Sequence, residues 1–151
     1  MEVIRLSPSD HNGFADWLAL FGKVFEEPDT YTGAMPSAEY RDRLLANPHF
    51  IALAALEGDT IIGGLAAYVM PKFERERSEI YIYDLAVDAA HRRKGLATAL
   101  INETRRIASD IGAWVVSVQA DYDDPPAVAL YTKLGAREEV LHFDMTPLKR
   151  G

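Results

Sequence analysis

The run YIYDLAVDAAHRRKGLATAL at residues 81–100 constrains this chain more than any other stretch. A hydrophobic strand ends there in a basic loop with one glycine, and the loop opens directly into an amphipathic helix. Leu96, Ala97, Leu100, Ile101, Thr104, Ile107 and Ile111 recur at helical spacing, so the helix is expected to begin close to Arg93 or Lys94. Its first-turn amides have no partner inside the helix and, with the positive end of the dipole, favour a bound anion. Gly95 and the small Ala97 admit close backbone approach, while Arg92, Arg93 and Lys94 bring charge. A diphosphate suits such a site, although a solvated basic helix start accounts for these residues alone equally well.

At 151 residues the chain fits one domain, 1–151, long enough to bury a proper core. No apolar run reaches spanning length, and the first residues lack the basic-then-apolar order of a signal peptide, so a cytoplasmic location and no membrane partner are expected. The absence of cysteine removes a disulfide framework, a thiolate metal site and a cysteine nucleophile; no metal is expected. A net charge of −7 argues against nucleic acid and agrees with a polycationic substrate, or simply with solubility.

Residues 2–6 alternate as a short strand, and Ser7 to Asp10 offer helix-start chemistry for a helix whose core face carries Phe14, Trp17, Leu18, Phe21, Val24 and Phe25. Residues 26–36 read as a loop in which Tyr31 either reaches a ligand or packs locally. Ser37 caps a second helix that stops before Pro48. Residues 50–56 and 60–70 form a hairpin around Glu57, Gly58 and Asp59, and a charged loop with Glu74 and Glu76 follows. In the strand 78–87, Tyr81, Tyr83, Leu85 and Val87 share one parity and Ile80, Ile82, Asp84 and Ala86 the other. An acid in so apolar a strand is costly unless paired, so Asp84 is either a satisfied buried carboxylate or a base or amine-binding group at the strand's end.

After the basic-loop helix, residues 113–121 read as a strand, ending in an acidic cluster of Asp121, Asp123 and Asp124. Asp124 and Pro125 make an N-cap and first-turn pair for a helix containing Tyr131, which Gly135 ends. Residues 138–145 alternate as a last strand, with His142 and Asp144 on one face.

The pattern Arg92-x-x-Gly95-x-Ala97, preceded by Leu85-Ala86-Val87 and followed by AVALYTKLG at 127–135, resembles the GNAT superfamily of acetyl-CoA-dependent N-acetyltransferases. Residues 50–55, 68–74, 78–87, 118–122 and 137–140 further look like the type I aminoglycoside 3-N-acetyltransferases, the gentamicin acetyltransferases, a likeness running over roughly residues 14 to 146. The resemblance implies an α/β fold with a mixed, mostly antiparallel sheet, a splayed central strand pair and about four helices. It implies acetyl-CoA as co-substrate, an aminoglycoside or other polycationic amine as acceptor, and a homodimer.

Residue by residue, the resemblance gives the backbone of Leu85, Ala86 and Val87 to the pantetheine arm, and Arg92, Arg93, Lys94, Gly95, Leu96, Ala97 and Thr98 to the diphosphate. Tyr131 stands at the general-acid position. Asp84 is the first choice for base and Glu79 the second, with His142 a weaker candidate. Tyr83, Asp121, Asp123, Asp124 and Asp144 are candidates for the substrate's amines and hydroxyls. The superfamily often has asparagine where this chain has Asp124, and the added charge suits a cationic sugar. Two other readings stay open: an acetyltransferase for a polyamine, peptide or other small amine, and a CoA-binding regulatory module without catalysis.

Overall fold

The computed structural model describes residues 1–150 in two compact units, Met1–Gln119 and the remainder from Ala120. The first unit runs β1 (Glu2–Arg5), α1 (His11–Val24), α2 (Pro28–Thr32), α3 (Ala38–Ala46), β2 (Phe50–Glu57), β3 (Thr60–Pro71), β4 (Ser78–Val87), a 3-10 turn (Ala89–His91), α4 (Leu96–Ile111) and β5 (Ala113–Val118). The second holds α5 (Pro125–Leu134). The sheet order is β1-β2-β3-β4-β5, antiparallel except for the parallel β4–β5 pair. This is the mixed α/β sheet expected, with five helices.

Both faces of the sheet are covered, so β2 reads as a continuous buried run from Phe50 to Ala55 rather than an alternating one. On one face, Phe14, Trp17 and Phe21 of α1 and Leu45 of α3 pack on Ala52, Ala54, Ala66 and Ala86. The Trp17 indole N–H donates to the Leu53 carbonyl at 2.8 Å. On the other face α4 lies close, with Leu100 against Gly63 and the Thr104 hydroxyl satisfied by the Leu100 carbonyl. Ser37 caps α3 as its sequence foretold, its hydroxyl accepting from the Tyr40 N–H at 3.2 Å.

Four element assignments need correction. First, α4 begins at Leu96, not at Arg93 or Lys94, because Arg93 and Gly95 have φ of 63° and 78°, outside the helical region. Second, β5 stops at Val118 rather than running to residue 121. Third, residues 138–145 form no strand: alternation is not enough where no neighbouring strand completes the hydrogen-bond ladder. Fourth, the loop at 26–36 contains α2, a single turn opened by Pro28 at its first helical position.

The strand parity also changes midway along β4. Ile82 pairs with Ala67 and Asp84 with Ala66, so two residues of β4 span one step of β3 and Tyr83 is the extra one. Directly opposed residues share a face. Ile80 and Ile82 therefore face α4, whereas Asp84 and Ala86 face α1, instead of all four sharing one side.

Candidate functional site

The bulge at Tyr83 is what makes Asp84 available. It turns the carboxylate off the apolar α4 side and sets it against α2, where the Tyr31 hydroxyl donates to Asp84 Oδ2 at 2.9 Å. The Tyr31 ring stacks on Phe21 at 5.7 Å and tilts against Phe25 at 5.8 Å, so its hydroxyl is aimed by packing. Around the pair stand more phenols: Tyr83, which is 65% exposed, meets Tyr68 edge-on at 6.0 Å and Tyr81 at 6.3 Å. Burial pushes the Asp84 carboxyl above its ordinary range, the Tyr31 hydrogen bond pulls it back, and the nearby Glu27 charge adds to the rise. The Tyr31 phenol is driven well above the usual tyrosine value, by burial first and then by its bond to Asp84. A half-buried carboxylate held in one orientation, with its pKa raised by burial, is a stronger proton acceptor than an exposed one.

Beyond Asp84 the sheet opens. β5 pairs with β4 only from Ser78 to Ile82, and no other strand among the described residues pairs with that side of the stretch from Tyr83 to Val87. Backbone groups of Leu85, Ala86 and Val87 are left for an extended ligand, which would complete the ladder as an added strand does. The exit of β4 is fastened: Asp88 accepts from Lys23 Nζ at 2.9 Å and contacts His91 Nδ1 at 3.0 Å, and these partners hold its carboxyl below the ordinary range.

Past that turn, α4 presents its amino end. Gly95 is the N-cap and offers no side chain to the first-turn amides of Leu96, Ala97 and Thr98. Nothing lies within 4 Å of where a Gly95 Cβ would be. Arg92, Arg93 and Lys94 are exposed and, among the described residues, make no ion pair. Uncapped amides, open space and unengaged cations fit a bound diphosphate.

The remaining sequence candidates are dispersed. Glu79 sits at the start of β4, paired with Lys72 at 3.2 Å. Its position opposite Met70 is well down the strand from Asp84. In the second unit the Asp124 carboxylate caps α5, accepting from the Ala127 N–H at 3.3 Å, and the Asp124 amide donates to the Asp121 carbonyl. Asp121, Asp123 and Asp124 are all exposed. Asp144 contacts His142 Nε2 at 2.9 Å. Tyr131, on α5, has its phenol pushed up to about 12, by burial first and then by the Asp124 charge. Among the described residues no group of three or more His, Asp or Glu side chains is placed to hold a metal ion. Sequence reasoning missed the Tyr31–Asp84 bond and the Lys23–Asp88–His91 cluster, because Tyr31 and Lys23 reach their partners from far away in sequence.

A strand edge left open beside a helix end free to take an anion describes a protein that grips an extended molecule bearing a diphosphate. A family model for the acetyltransferase (GNAT) family matches residues 14–136, and the chain belongs to that family. It is similar to an aminoglycoside acetyltransferase from an uncultured soil metagenomic sample, with 56% identity over 96% of this chain and 97% of that one and a TM-score of 0.94. A second aminoglycoside acetyltransferase from such a sample, solved in complex with sisomicin, is 34% identical over 96% of this chain and 95% of that one, with a TM-score of 0.87. The mycothiol acetyltransferase of Clavibacter michiganensis subsp. michiganensis is 30% identical over 82% of this chain and 39% of its own length. The chain spans about two fifths of the length of the mycothiol acetyltransferases it matches.

Proposed function

We propose that this chain acts as one acetyltransferase domain that transfers the acetyl group of acetyl-CoA to the 3-amino group of the deoxystreptamine ring of an aminoglycoside such as gentamicin. Transfer occurs by direct attack in a ternary complex, in the cytoplasm, and protects the cell from the antibiotic; the working form is a homodimer. The observation that carries the reading is the open edge of β4, which leads from the uncapped end of α4 back to the carboxylate of Asp84. The likeness to two aminoglycoside acetyltransferases supports the choice of acceptor.

Acetyl-CoA supplies the acetyl group as a thioester. The Leu96, Ala97 and Thr98 amides, with Arg92, Arg93 and Lys94, hold the diphosphate, and the backbone of Leu85, Ala86 and Val87 holds the pantetheine arm. A main-chain N–H at Leu85 or Val87 polarises the carbonyl oxygen and stabilises its developing negative charge. Asp84, directly or through a water, takes the proton that the acceptor's ammonium must lose before its nitrogen attacks; Glu79 is second choice for this role. Tyr131 gives its phenolic proton to the departing sulfur. Tyr83, Asp121, Asp123, Asp124 and Asp144 bind the substrate's other amines and hydroxyls.

Turnover of acetyl-CoA with gentamicin compared with spermidine tests this. Gentamicin is expected to give the higher kcat/KM, and a preference for spermidine would move the assignment to a small-amine acetyltransferase. That second reading draws on the likeness to mycothiol acetyltransferase. Coenzyme binding without turnover of any amine would instead make the chain a CoA-binding regulatory module.

A further inference from the structure

We propose that Tyr31 is a positioning residue for Asp84: its phenol fixes Oδ2 and leaves Oδ1 directed to the proton that must be removed. The inference rests on Asp84 being the base. Tyr31 approaches from another element, 53 residues away in sequence, and its hydroxyl lies 2.9 Å from Oδ2. No donor reaches Asp84 Oδ1 among the described residues, and no lysine or arginine pairs with this carboxylate.

The phenol is held on a rigid mount. Its ring packs against both Phe21 and Phe25, which also touch each other, and α2 packs so closely on α1 that a Cβ at Gly22 would sit 3.3 Å from Pro28 and 3.5 Å from Tyr31. The Glu27 N–H also donates to the Gly22 carbonyl at 3.0 Å. Packing alone needs only the ring, so the hydroxyl is available for the carboxylate. The titratable groups facing Asp84 are Glu27 and Tyr31 from α2 and its cap, Tyr68 from β3, and Tyr81 and Tyr83 from β4, with Tyr40 of α3 acting on Tyr68. The one nearby cation on α1, Lys23, is engaged by Asp88. Tyr31 is thus the group that favours the ionised base, while burial and Glu27 oppose it.

The test is Tyr31→Phe in the full chain, assayed with acetyl-CoA and sisomicin and compared with the parent on the same substrate. Losing the donor raises the Asp84 pKa, so the acid limb of kcat/KM is expected to move up by about one pH unit, with kcat/KM about tenfold lower at pH values on the acid side of that limb. The carboxyl-carbon NMR titration of Asp84 should move in the same direction without any turnover. Acetyl-CoA affinity should stay unchanged. Replacement of Tyr31 by 3-fluorotyrosine, a stronger donor of nearly the same shape, should move the limb the opposite way and covers the case in which Tyr31→Phe misfolds. An unmoved limb and titration, or a raised sisomicin KM with kcat and pH profile intact, overturns the proposal. Asp84→Asn run alongside separates the two layers: if it is inactive while Tyr31→Phe is unshifted, only the positioning role falls. If Asp84→Asn keeps full turnover, the base assignment falls and takes this inference with it.

Discussion

Asp84 carries a cost that the fold does not recover. Its pKa is raised in the folded chain relative to an exposed aspartate, so the ionised form is disfavoured by folding at every pH above that raised value. Asp84→Asn keeps the shape and an acceptor for Tyr31 but removes the charge. It should abolish turnover while raising the thermal midpoint at pH 7 by about 2 °C, as functional residues often do when neutralised. The gain should shrink as the pH falls through the folded pKa, where the parent also becomes neutral; a destabilised variant at pH 7 would contradict this. Tyr131, with its phenol up at about 12, stays protonated throughout the working range. Tyr131→Phe is therefore expected to lower kcat roughly 10²-fold with acetyl-CoA binding intact, and loss of coenzyme binding would refute its role as acid. Asp84 stood out in the sequence because an acid is rare in so apolar a strand. Tyr31 was legible only as a residue that reaches a ligand or packs locally, since nothing local in PDTYT says that its ring will stack on α1 and its hydroxyl reach a strand about fifty residues on.

At the scale of the elements, α4 ends in two left-handed glycines that make a matched pair. Gly95 and Gly112 have φ of 78° and 72°, and in both cases a Cβ would meet nothing within 4 Å. Alanine at either should cost about 1 kcal/mol through backbone strain alone. Only Gly95→Ala should weaken acetyl-CoA binding, because only that end carries the uncapped amides. Equal effects on binding in a calorimetric titration would remove the anion site from α4. The β2–β3 hairpin and the helices α1, α3, α4 and α5 were readable because periodicity, turn residues and caps reside in consecutive residues, as with Ser37 and Pro48 around α3. The bulge at Tyr83 was not readable: YIYDLAV alternates without interruption, and only its pairing with β3 shows that one residue is extra. Residues 138–145 erred the other way, since an alternating segment becomes a strand only where a neighbour receives its hydrogen bonds.

For the whole molecule, the charge of −7 bears on how a polycationic acceptor arrives. Raising ionic strength from about 0.01 M to about 0.15 M shortens the screening length from about 30 Å to about 8 Å, so the sisomicin KM is expected to rise several-fold while kcat holds. A salt-independent KM would mean that acidity serves solubility only. No helix among the described residues is long and apolar enough to cross a membrane. The family match covers residues 14–136 and so takes in β4, α4 and α5, the elements that bear the proposed machinery. The most direct measurement is a crystal structure with acetyl-CoA and sisomicin bound. It should place the diphosphate within hydrogen-bond reach of the Leu96, Ala97 and Thr98 amides, the pantetheine arm along Leu85 to Val87, and an acceptor amine beside Asp84. A diphosphate bound elsewhere, with the edge of β4 still bare, would contradict the account.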